Sequence, residues 1–342
     1  MERRLGIAVV GCGYWGINYV RVFSELPEAR VLWACDADPR RLEVVRQRFP
    51  TVGLTGDLQM VLHDPAVDAL VVATPATTHA SVGLAALAAG KHVLMEKPLA
   101  TSVEDAQSLI AAAREADRLL MVGHTFLYNP GVWKLKECLQ SPDFGRTYYL
   151  RATRTNLGPI RQDVHAFWDL APHDVSIMNY LLESDPEAVQ AVGVRFLNAE
   201  REDAGYLHLW YPGGVLASIH VSWVEPKKVR EVVAVGSRQR VVFDDLNPQE
   251  PVRVFEKGVS PAEVDVDSFG EFRLLVRDGD IVSPKVEPSE PLKNQCRHFL
   301  ECVAEGKRPQ TDGEDGLRVV RVMEAADRSL QQDGKVVPVA GG

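Results

Sequence analysis

The fold class that the sequence predicts is an α/β domain with an open, doubly wound parallel sheet, followed by an α+β domain with a large, mostly antiparallel open sheet. In the first third of the chain, short apolar runs alternate with helical patterns, which is the spacing of β-α-β units. After about Gly123, longer alternating or β-branched runs follow one another with few helices between them. The 342 residues suffice for two domains. We expect these at residues 1–123 and 124–342, with the terminal helices packing back on the first domain.

The predicted elements of the first domain are short. Its strands are expected at residues 5–11, 30–35, 69–73, 92–95 and 119–122, and its helices at residues 16–26, 39–49, 78–89 and 103–116. Asp38 and Pro39 are suited to the cap and first position of the second helix, and Gly90 to the end of the third.

The second domain has longer predicted strands. They are expected at residues 147–155, 188–197, 204–211, 215–223 and 229–235, and helices at residues 131–139, 172–182, 292–304 and 313–330. The run Pro212-Gly213-Gly214 between two of these strands is typical of a hairpin. This pattern predicts a mostly antiparallel sheet.

Composition excludes several classes of partner. Lys and Arg total 38 against 47 Asp and Glu, and this net charge of −9 argues against nucleic-acid binding. The five cysteines are odd in number and form no C-x-x-C pair, which argues against a disulfide framework and favours a reducing compartment. No apolar run is long enough to span a bilayer and no signal peptide is visible. We therefore expect a cytoplasmic protein with no membrane partner.

The first chemical motif is a G-x-G-x-x-G turn between a strand and a helix. It consists of Gly11, Cys12, Gly13, Tyr14, Trp15 and Gly16. Such glycines permit a tight turn, a close approach of the backbone to a pyrophosphate, and close packing of helix on strand. Asp36, at the end of the second strand, can accept hydrogen bonds from the ribose hydroxyls of an adenosine. These features predict a Rossmann domain.

The same acidic residue indicates which cofactor is bound. The Asp36 carboxylate repels a 2′-phosphate, so the sequence favours NAD over NADP as cofactor. Arg40 and Arg41 lie nearby and are alternatives for holding that phosphate, but solvated arginines at a helix start explain them more simply.

The second motif is Glu96-Lys97-Pro98, directly after the strand predicted at residues 92–95. The carboxyl ends of parallel strands are where open α/β sheets bind ligands. Lys97 is therefore a candidate to hold a substrate oxygen.

Together these motifs resemble the Gfo/Idh/MocA oxidoreductases. The resemblance rests on the glycine turn, on Thr74, Pro75 and His79, on Glu96-Lys97-Pro98, and on the element from Asp169 through His173 to Asp174. The sequence departs from the family pattern at Ala171, where glycine is usual, and at Ser176, where aspartate is usual. The resemblance adds Thr74, Pro75, His79, Glu96 and Lys97 to the glycine turn and Asp36 as cofactor-binding residues.

The resemblance also implies the catalytic residues Lys97, His173 and Asp169. Histidine titrates near neutral pH and can accept a hydroxyl proton. Lys97 would stabilise the developing alkoxide, and Asp169, four residues before His173, would orient the ring or contact the substrate. Asp163, His165, Asp169 and His173 cluster in sequence as candidate metal ligands, but their spacing matches no zinc signature, so we expect no metal.

The substrate is predicted from a narrower resemblance, to the branch of the family that acts on UDP-amino sugars. The substrate-binding residues it implies are Tyr128, Asn129, Arg154, Asn156, Arg161 and Asp163. Guanidinium groups bind a diphosphate bidentately, but ion pairs within an acidic protein explain Arg154 and Arg161 equally well. The predicted reaction is NAD-dependent oxidation of a secondary hydroxyl, at C3, of a sugar such as UDP-N-acetylglucosamine.

Two rival functions remain open at this stage. One is an inositol or free-sugar dehydrogenase, and the other is a non-catalytic protein that binds the dinucleotide as a regulator. The presence of both Lys97 and His173 favours catalysis. A sheet with one uncovered face would be a natural dimer surface, and family habit points to a homodimer or homotetramer.

Overall fold

The computed structural model describes residues 4–197, 199–261 and 274–339. The chain divides into two compact units, Met1–Tyr128 with Ser289–Glu324, and Asn129–Pro288 with Ala325–Gly342. The first segment of the first unit ends at Tyr128 rather than at residue 123, and the segment Ser289–Glu324, which holds the first terminal helix and part of the second, belongs to that unit. The last long helix contributes residues to both units.

The first unit contains a parallel sheet with helices between its strands. Its strands are β1 (Leu5–Val10), β2 (Ala29–Cys35), β3 (Gly53–Thr55), β4 (Ala69–Val72), β5 (His92–Glu96) and β6 (Leu120–Gly123). The intervening helices are α1 (Tyr14–Glu25), α2 (Pro39–Arg48), α3 (Leu58–Leu62), α4 (His79–Ala88) and α5 (Val103–Glu115). Within the described residues, the sheet has six strands in the order β3-β2-β1-β4-β5-β6. This order and the parallel pairing confirm the predicted Rossmann domain.

Local chemistry explains most of these elements. The side chains of Ile7, Ala8 and Val9 are fully buried, as expected for a parallel strand covered on both faces. The Asp38 carboxylate accepts a hydrogen bond from the Arg40 backbone N–H at 2.9 Å, which confirms it as the cap of α2. The strand β3 and the helix α3 were not predicted, because three and five residues are too few to show a period.

The second unit is built on a larger sheet. Its strands are β7 (Thr147–Leu157), β8 (Ala188–Val194), β9 (Ala204–Tyr211), β10 (Val215–Ser222), β11 (Val224–Gly236), β12 (Arg240–Asp244), β13 (Val252–Phe255), β14 (Gly258–Pro261), β15 (Leu274–Arg277), β16 (Ile281–Val282) and β17 (Val337–Pro338). In the part of the chain that is described, nine of them form one sheet in the order β16-β13-β12-β11-β7-β10-β9-β8-β17, and β14 pairs with β15. β7 runs parallel to β10, and the other pairs are antiparallel. The predicted α+β class is confirmed.

The described residues form four further α-helices: α6 (Pro130–Gln140), α7 (Ala166–Leu182), α8 (Pro291–Glu305) and α9 (Gly313–Gln331). No helix of the described residues is long and apolar enough to cross a membrane. The predicted start of α7 at Pro172 is wrong, since the helix begins at Ala166 and contains Pro172. Proline costs a backbone hydrogen bond inside a helix. Here α7 packs against β7, β9 and β10, and this burial outweighs the loss.

Candidate functional site

One edge of the parallel sheet gathers the predicted cofactor residues of the first unit. Gly11 follows β1, Asp36 follows β2, Thr74 lies just beyond β4, and Lys97 follows β5. His124 follows β6 at the same edge. Because the strands are parallel, their carboxyl ends meet along this edge, which is the ligand-binding edge of open α/β sheets.

The glycine turn leaves room for a ligand because side chains are excluded from it. Gly11 has a φ of +89°, and a Cβ there would lie 2.6 Å from the Ala73 carbonyl. A Cβ on Gly16 would overlap the Gly11 carbonyl oxygen, whereas a Cβ on Gly13 would have Arg41 as its nearest neighbour at 3.8 Å. Gly13 caps α1 without a side chain, and Tyr14 and Trp15 are exposed in its first turn. This backbone fits the pyrophosphate of a dinucleotide at a helix N-terminus.

Asp36 is tied to the glycine turn. Its carboxylate accepts hydrogen bonds from the Cys12 N–H at 2.6 Å and from the Asp38 N–H at 2.8 Å. The Arg41 guanidinium lies 3.4 Å away, whereas Arg40 pairs with Asp38 in solvent. A carboxylate fixed beside the turn fits recognition of ribose hydroxyls.

His79 does not present its ring to solvent. The side chain is buried, and its two ring nitrogens lie 2.7 Å from the Pro98 carbonyl oxygen and 3.0 Å from the Thr74 carbonyl oxygen. The ring therefore joins the loop after β4 to the loop after β5. The structure thus gives His79 a role in holding Thr74 and Pro98, and its contact with the cofactor stays a prediction.

Glu96 lies in a buried chain of hydrogen bonds. Its carboxylate accepts from the Tyr19 hydroxyl at 2.6 Å and from the Lys97 N–H at 3.2 Å. Burial and the neighbouring Glu96 carboxylate raise the pKa of Tyr19 well above its usual value, so the phenol remains a donor. Gln295 donates to Tyr19 at 2.9 Å and accepts from the Thr125 hydroxyl at 2.7 Å. This network fixes the position of the backbone beside Lys97. The Lys97 side chain is itself buried.

His124 is a site residue that sequence reasoning missed. Glu96 and Gly123 are register partners, so Lys97 and His124 follow the ends of neighbouring strands. Burial and the positive charge of Lys97 lower the pKa of His124 to about 3. A histidine directly after a predicted strand, at the edge that binds ligands, was the signal that could have identified it.

Two residues predicted to bind substrate have structural partners. Tyr128, in the first unit, is buried and its hydroxyl lies 3.0 Å from the Thr311 hydroxyl. Asn129, in the second unit, caps α6 by accepting from the Gly131 N–H at 2.8 Å, and its amide donates to Asp245. These internal partners give both residues a structural role, as an asparagine before proline caps a helix and a buried phenol needs a partner, and substrate binding by either residue stays a prediction.

Arg154 also has an internal partner. Its guanidinium is 4% exposed and donates two hydrogen bonds to the Asp174 carboxylate, at 2.7 and 2.9 Å. This geometry favours the ion-pair alternative for Arg154 over diphosphate binding, which stays a prediction. The pair joins β7 to α7, the helix that carries His173.

The remaining predicted residues of the second unit surround the start of α7. Arg161 donates to Asp163 at 2.9 Å and to Asp169 at 3.2 Å. The buried Trp223 indole donates to the second Asp169 oxygen at 3.1 Å. Asn156 donates to the Gly158 carbonyl. The structure thus brings Arg161, Asp163 and Asp169 together, with the Arg161 side chain 30% exposed.

His173 lies one helical turn after Asp169 in α7. Both residues are inside α7, four positions apart, and therefore lie on one helix face. Ser176, which replaces the usual aspartate, donates its hydroxyl to the His173 carbonyl at 2.7 Å. His165, before the helix, pairs instead with Asp327 at 3.0 Å. Among the described residues, no group of three or more His, Cys, Asp or Glu side chains is arranged to hold a metal ion.

Comparison with known proteins identifies the family. Residues 5–124 match the model described as an oxidoreductase family with an NAD-binding Rossmann fold, and residues 132–242 match the Gfo/Idh/MocA C-terminal domain. The chain is 29% identical over 319 residues to UDP-N-acetylglucosamine 3-dehydrogenase of Acidithiobacillus ferrooxidans, covering 91% of this chain and 93% of the relative. It is 26% identical over 341 residues to myo-inositol 2-dehydrogenase of Thermotoga maritima, covering 96% and 97%.

A solved structure extends the match over nearly the whole chain. GenD2 from gentamicin A biosynthesis, solved in complex with NAD, superposes with a TM-score of 0.83 at 29% identity, covering 99% of this chain and 97% of GenD2. The six-stranded parallel sheet and the larger, mostly antiparallel sheet agree with these matches. The chain therefore belongs to the Gfo/Idh/MocA family of oxidoreductases and has its NAD-binding Rossmann domain.

Proposed function

We propose that this oxidoreductase uses NAD to oxidise a secondary hydroxyl of a sugar or polyol. The observation that carries the proposal is Lys97, a buried lysine directly after β5, at the sheet edge that also holds the glycine turn and Asp36. The relatives are named for dehydrogenation of a nucleotide sugar and of a cyclic polyol, and the proposal carries this shared chemistry to the present chain.

The proposed roles follow from the side-chain chemistry. Bound NAD supplies the hydride acceptor, the C4 atom of its nicotinamide. The Lys97 ammonium donates a hydrogen bond to the substrate oxygen and stabilises its negative charge. His173 accepts the hydroxyl proton. Asp169, held by Arg161 and Trp223, keeps its carboxylate on the same face of α7 as His173.

For the substrate we propose a UDP-linked amino sugar oxidised at C3, such as UDP-N-acetylglucosamine. Support comes from the resemblance of the segments around His124–Asn129 and Asn156–Asp163 to that branch, and from the relative that carries this activity in its name. Arg161 is the phosphate ligand in this proposal, because its guanidinium is partly exposed. A diphosphate would then compete with Asp163 for it.

A second candidate is a free polyol or sugar such as inositol. The observation that favours it is the engagement of both arginines by carboxylates. Arg154 forms an ion pair with Asp174, and Arg161 forms ion pairs with both Asp163 and Asp169. Carboxylates flanking the site suit hydroxyl groups, which can donate to them, better than they suit a diphosphate.

Steady-state kinetics separate the two candidates. UDP-N-acetylglucosamine, free N-acetylglucosamine and myo-inositol are compared with NAD for the native protein, Arg161→Ala and the control Arg151→Ala, an arginine paired with Glu231 on β11. If the UDP-sugar is the substrate, Arg161→Ala lowers its kcat/KM by about 10- to 150-fold, the value of one charge-assisted phosphate contact, and Arg151→Ala changes little. Better use of myo-inositol than of the UDP-sugar, with the same effect of Arg161→Ala on both substrates through Asp169, would establish the second candidate.

We further propose that the protein is a homodimer in a reducing, cytoplasmic environment. The side chains of Tyr149, Val192, Tyr206 and Leu216 are exposed on the second unit's sheet, and Tyr206 is the register partner of both Val192 and His220. Such a row of exposed apolar side chains suits a self-complementary interface. The five cysteines are unbridged. Sedimentation of the native protein and of Tyr206→Lys tests the dimer, with Met60→Lys as an exposed control in the first unit.

A further inference from the structure

The buried imidazole of His124 lies beside the lysine on which the proposed function depends. The pairing of Glu96 with Gly123 puts Lys97 and His124 at adjacent positions beyond two neighbouring parallel strands. Lys97 is 7% exposed and His124 is 1% exposed. Burial lowers the pKa of the His124 imidazole, and the positive charge of Lys97 lowers it further.

The backbone on both sides of this pair is held by one network. Thr125, next to His124, donates to Gln295, which donates to Tyr19. Tyr19 donates to Glu96, which is next to Lys97 and accepts from its backbone N–H. A Cβ on Gly123 would lie 3.0 Å from the Tyr19 hydroxyl and 3.2 Å from a Glu96 oxygen, so the two strand ends are tightly packed there. The position of the imidazole is therefore fixed by its neighbours.

The imidazole itself is unusual for a packing residue. Neither ring nitrogen has a hydrogen-bond partner among the described residues, although both atoms are buried. Buried polar atoms without partners are rare in native proteins and call for an explanation. A phenylalanine would fill a similar volume without this cost. A neutral imidazole has one acceptor nitrogen, and a lysine ammonium has three donors.

We propose that His124 is a positioning residue for Lys97, accepting a hydrogen bond from its ammonium in the NAD-bound protein so that another N–H is directed at the substrate oxygen. This inference rests on the proposed function, in which Lys97 holds that oxygen. His124 does not contact the reacting atoms in this proposal. It acts by restricting a flexible four-carbon side chain to one direction and by stabilising its charge. Glu96 and Tyr19 are the other titratable groups of the first unit in this network.

The test uses the NAD-bound full-length protein with lysine labelled with ¹³C at Cε. The Lys97 resonance, assigned by its loss in Lys97→Arg, is titrated with pH in the native protein, His124→Phe and His124→Gln. Loss of the acceptor destabilises the ammonium, so His124→Phe lowers the pKa of Lys97 by about one pH unit, and His124→Gln, which retains an acceptor, stays close to native. The control is His92→Phe, at the opposite end of β5, which leaves Lys97 unchanged.

Kinetics and a reciprocal measurement complete the test. His124→Phe lowers kcat by about tenfold or more with unchanged KM for NAD, because the Lys97 ammonium is no longer held in one direction toward the substrate oxygen, and His124→Gln restores it. If His124→Phe does not fold, the ¹⁵N resonances of the His124 ring are compared between the native protein and Lys97→Met, in which the acceptor nitrogen loses its hydrogen bond. An unchanged Lys97 titration in His124→Phe, or unchanged ring resonances in Lys97→Met, overturns the proposal. These readouts need no turnover, so a failure of the proposed function would be seen separately, as a Lys97→Met variant that keeps native kcat.

Discussion

The two units differ in how their predicted site residues are used. In the first unit, the glycine turn and Asp36 lie at one sheet edge and form a surface made largely of backbone. In the second unit, Asn129 donates a hydrogen bond to Asp245 and Arg154 forms an ion pair with Asp174, and both partners come from other segments of the chain. A backbone site for a dinucleotide depends on the spacing of glycines within one short segment, so it can be recognised in the sequence. A substrate site made of side chains depends on which of them pair with residues from other segments. The following predictions test this difference, from the largest expected effect to the smallest.

Two alanine variants of the glycine turn should distinguish an effect on protein stability from an effect on NAD binding. Gly16→Ala places a methyl group onto the Gly11 carbonyl, so we expect loss of NAD binding and destabilisation above the roughly 1–3 kcal/mol typical of overpacking. In Gly13→Ala the new methyl group meets only the Arg41 guanidinium, at an ordinary contact distance of 3.8 Å, so the variant keeps the native melting temperature while the methyl group weakens NAD binding. Thermal unfolding and calorimetric NAD titration check both. A stable Gly16→Ala protein that binds NAD normally would show that the turn does not pack as described.

The proposed reacting residues should affect turnover rather than cofactor binding. Lys97→Met and His173→Gln are each expected to lower kcat by about 10²- to 10⁴-fold, the usual contribution of a positioned acid or base, and to leave the NAD Kd nearly unchanged. The measurement is steady-state turnover beside NAD titration. A variant with near-native kcat at saturating substrate would remove that residue from the mechanism.

Arg154 and Arg161 give a direct comparison within the second unit. Arg154→Ala leaves the Asp174 carboxylate buried and without its guanidinium, which costs about 3–5 kcal/mol of stability. Replacing both, as Arg154→Met with Asp174→Leu, removes the uncompensated charge and recovers much of that loss. Arg161→Ala, at a partly exposed site, leaves the melting temperature nearly unchanged. If Arg154→Ala had the native melting temperature but a lower kcat/KM for the substrate, Arg154 would be a substrate ligand.

Asp36 should control the choice between NAD and NADP. Asp36→Ala removes the carboxylate that we expect to bind the ribose hydroxyls, so the Kd for NAD should rise by about tenfold or more and the Kd for NADP should fall. Arg40→Ala serves as control, because Arg40 is exposed and pairs with Asp38. Calorimetry with both cofactors is the measurement. Equal binding of NAD and NADP by the native protein would instead make Arg41, 3.4 Å from Asp36, a phosphate ligand.

Much of the fold could be read from the sequence because its elements are periodic. The five longer strands of the first sheet and most helices lie within a few residues of their predicted bounds. The strand β3, the helix α3 and the strands β12, β13, β14, β15, β16 and β17 were not predicted, since each is too short to show a pattern by itself. The start of α7 was misplaced because proline is commonest in a first turn, and the burial that holds it inside this helix is a tertiary effect.

The candidate site was predictable to a different extent in each unit. The glycine turn, Asp36 and Lys97 each follow a strand, so strand spacing alone brings them to one edge. His79 was found as a residue, but its bonds to Pro98 and Thr74 join two loops that only the folded sheet brings together. The Asp174 carboxylate carried no local signal as the partner of Arg154, twenty residues away.

By itself, therefore, the sequence determined the order of the elements, the cofactor turn and the residues at its sheet edge, because these depend on short-range periodicity and on backbone conformation. Tertiary structure alone decided which polar side chains have internal partners: Arg154 with Asp174, Tyr128 with Thr311, and Asn129 with Asp245. It also decided that His124 is buried beside Lys97. The physical reason is that burying a polar group is favourable only when a partner meets it, and the chain brings those partners from distant segments.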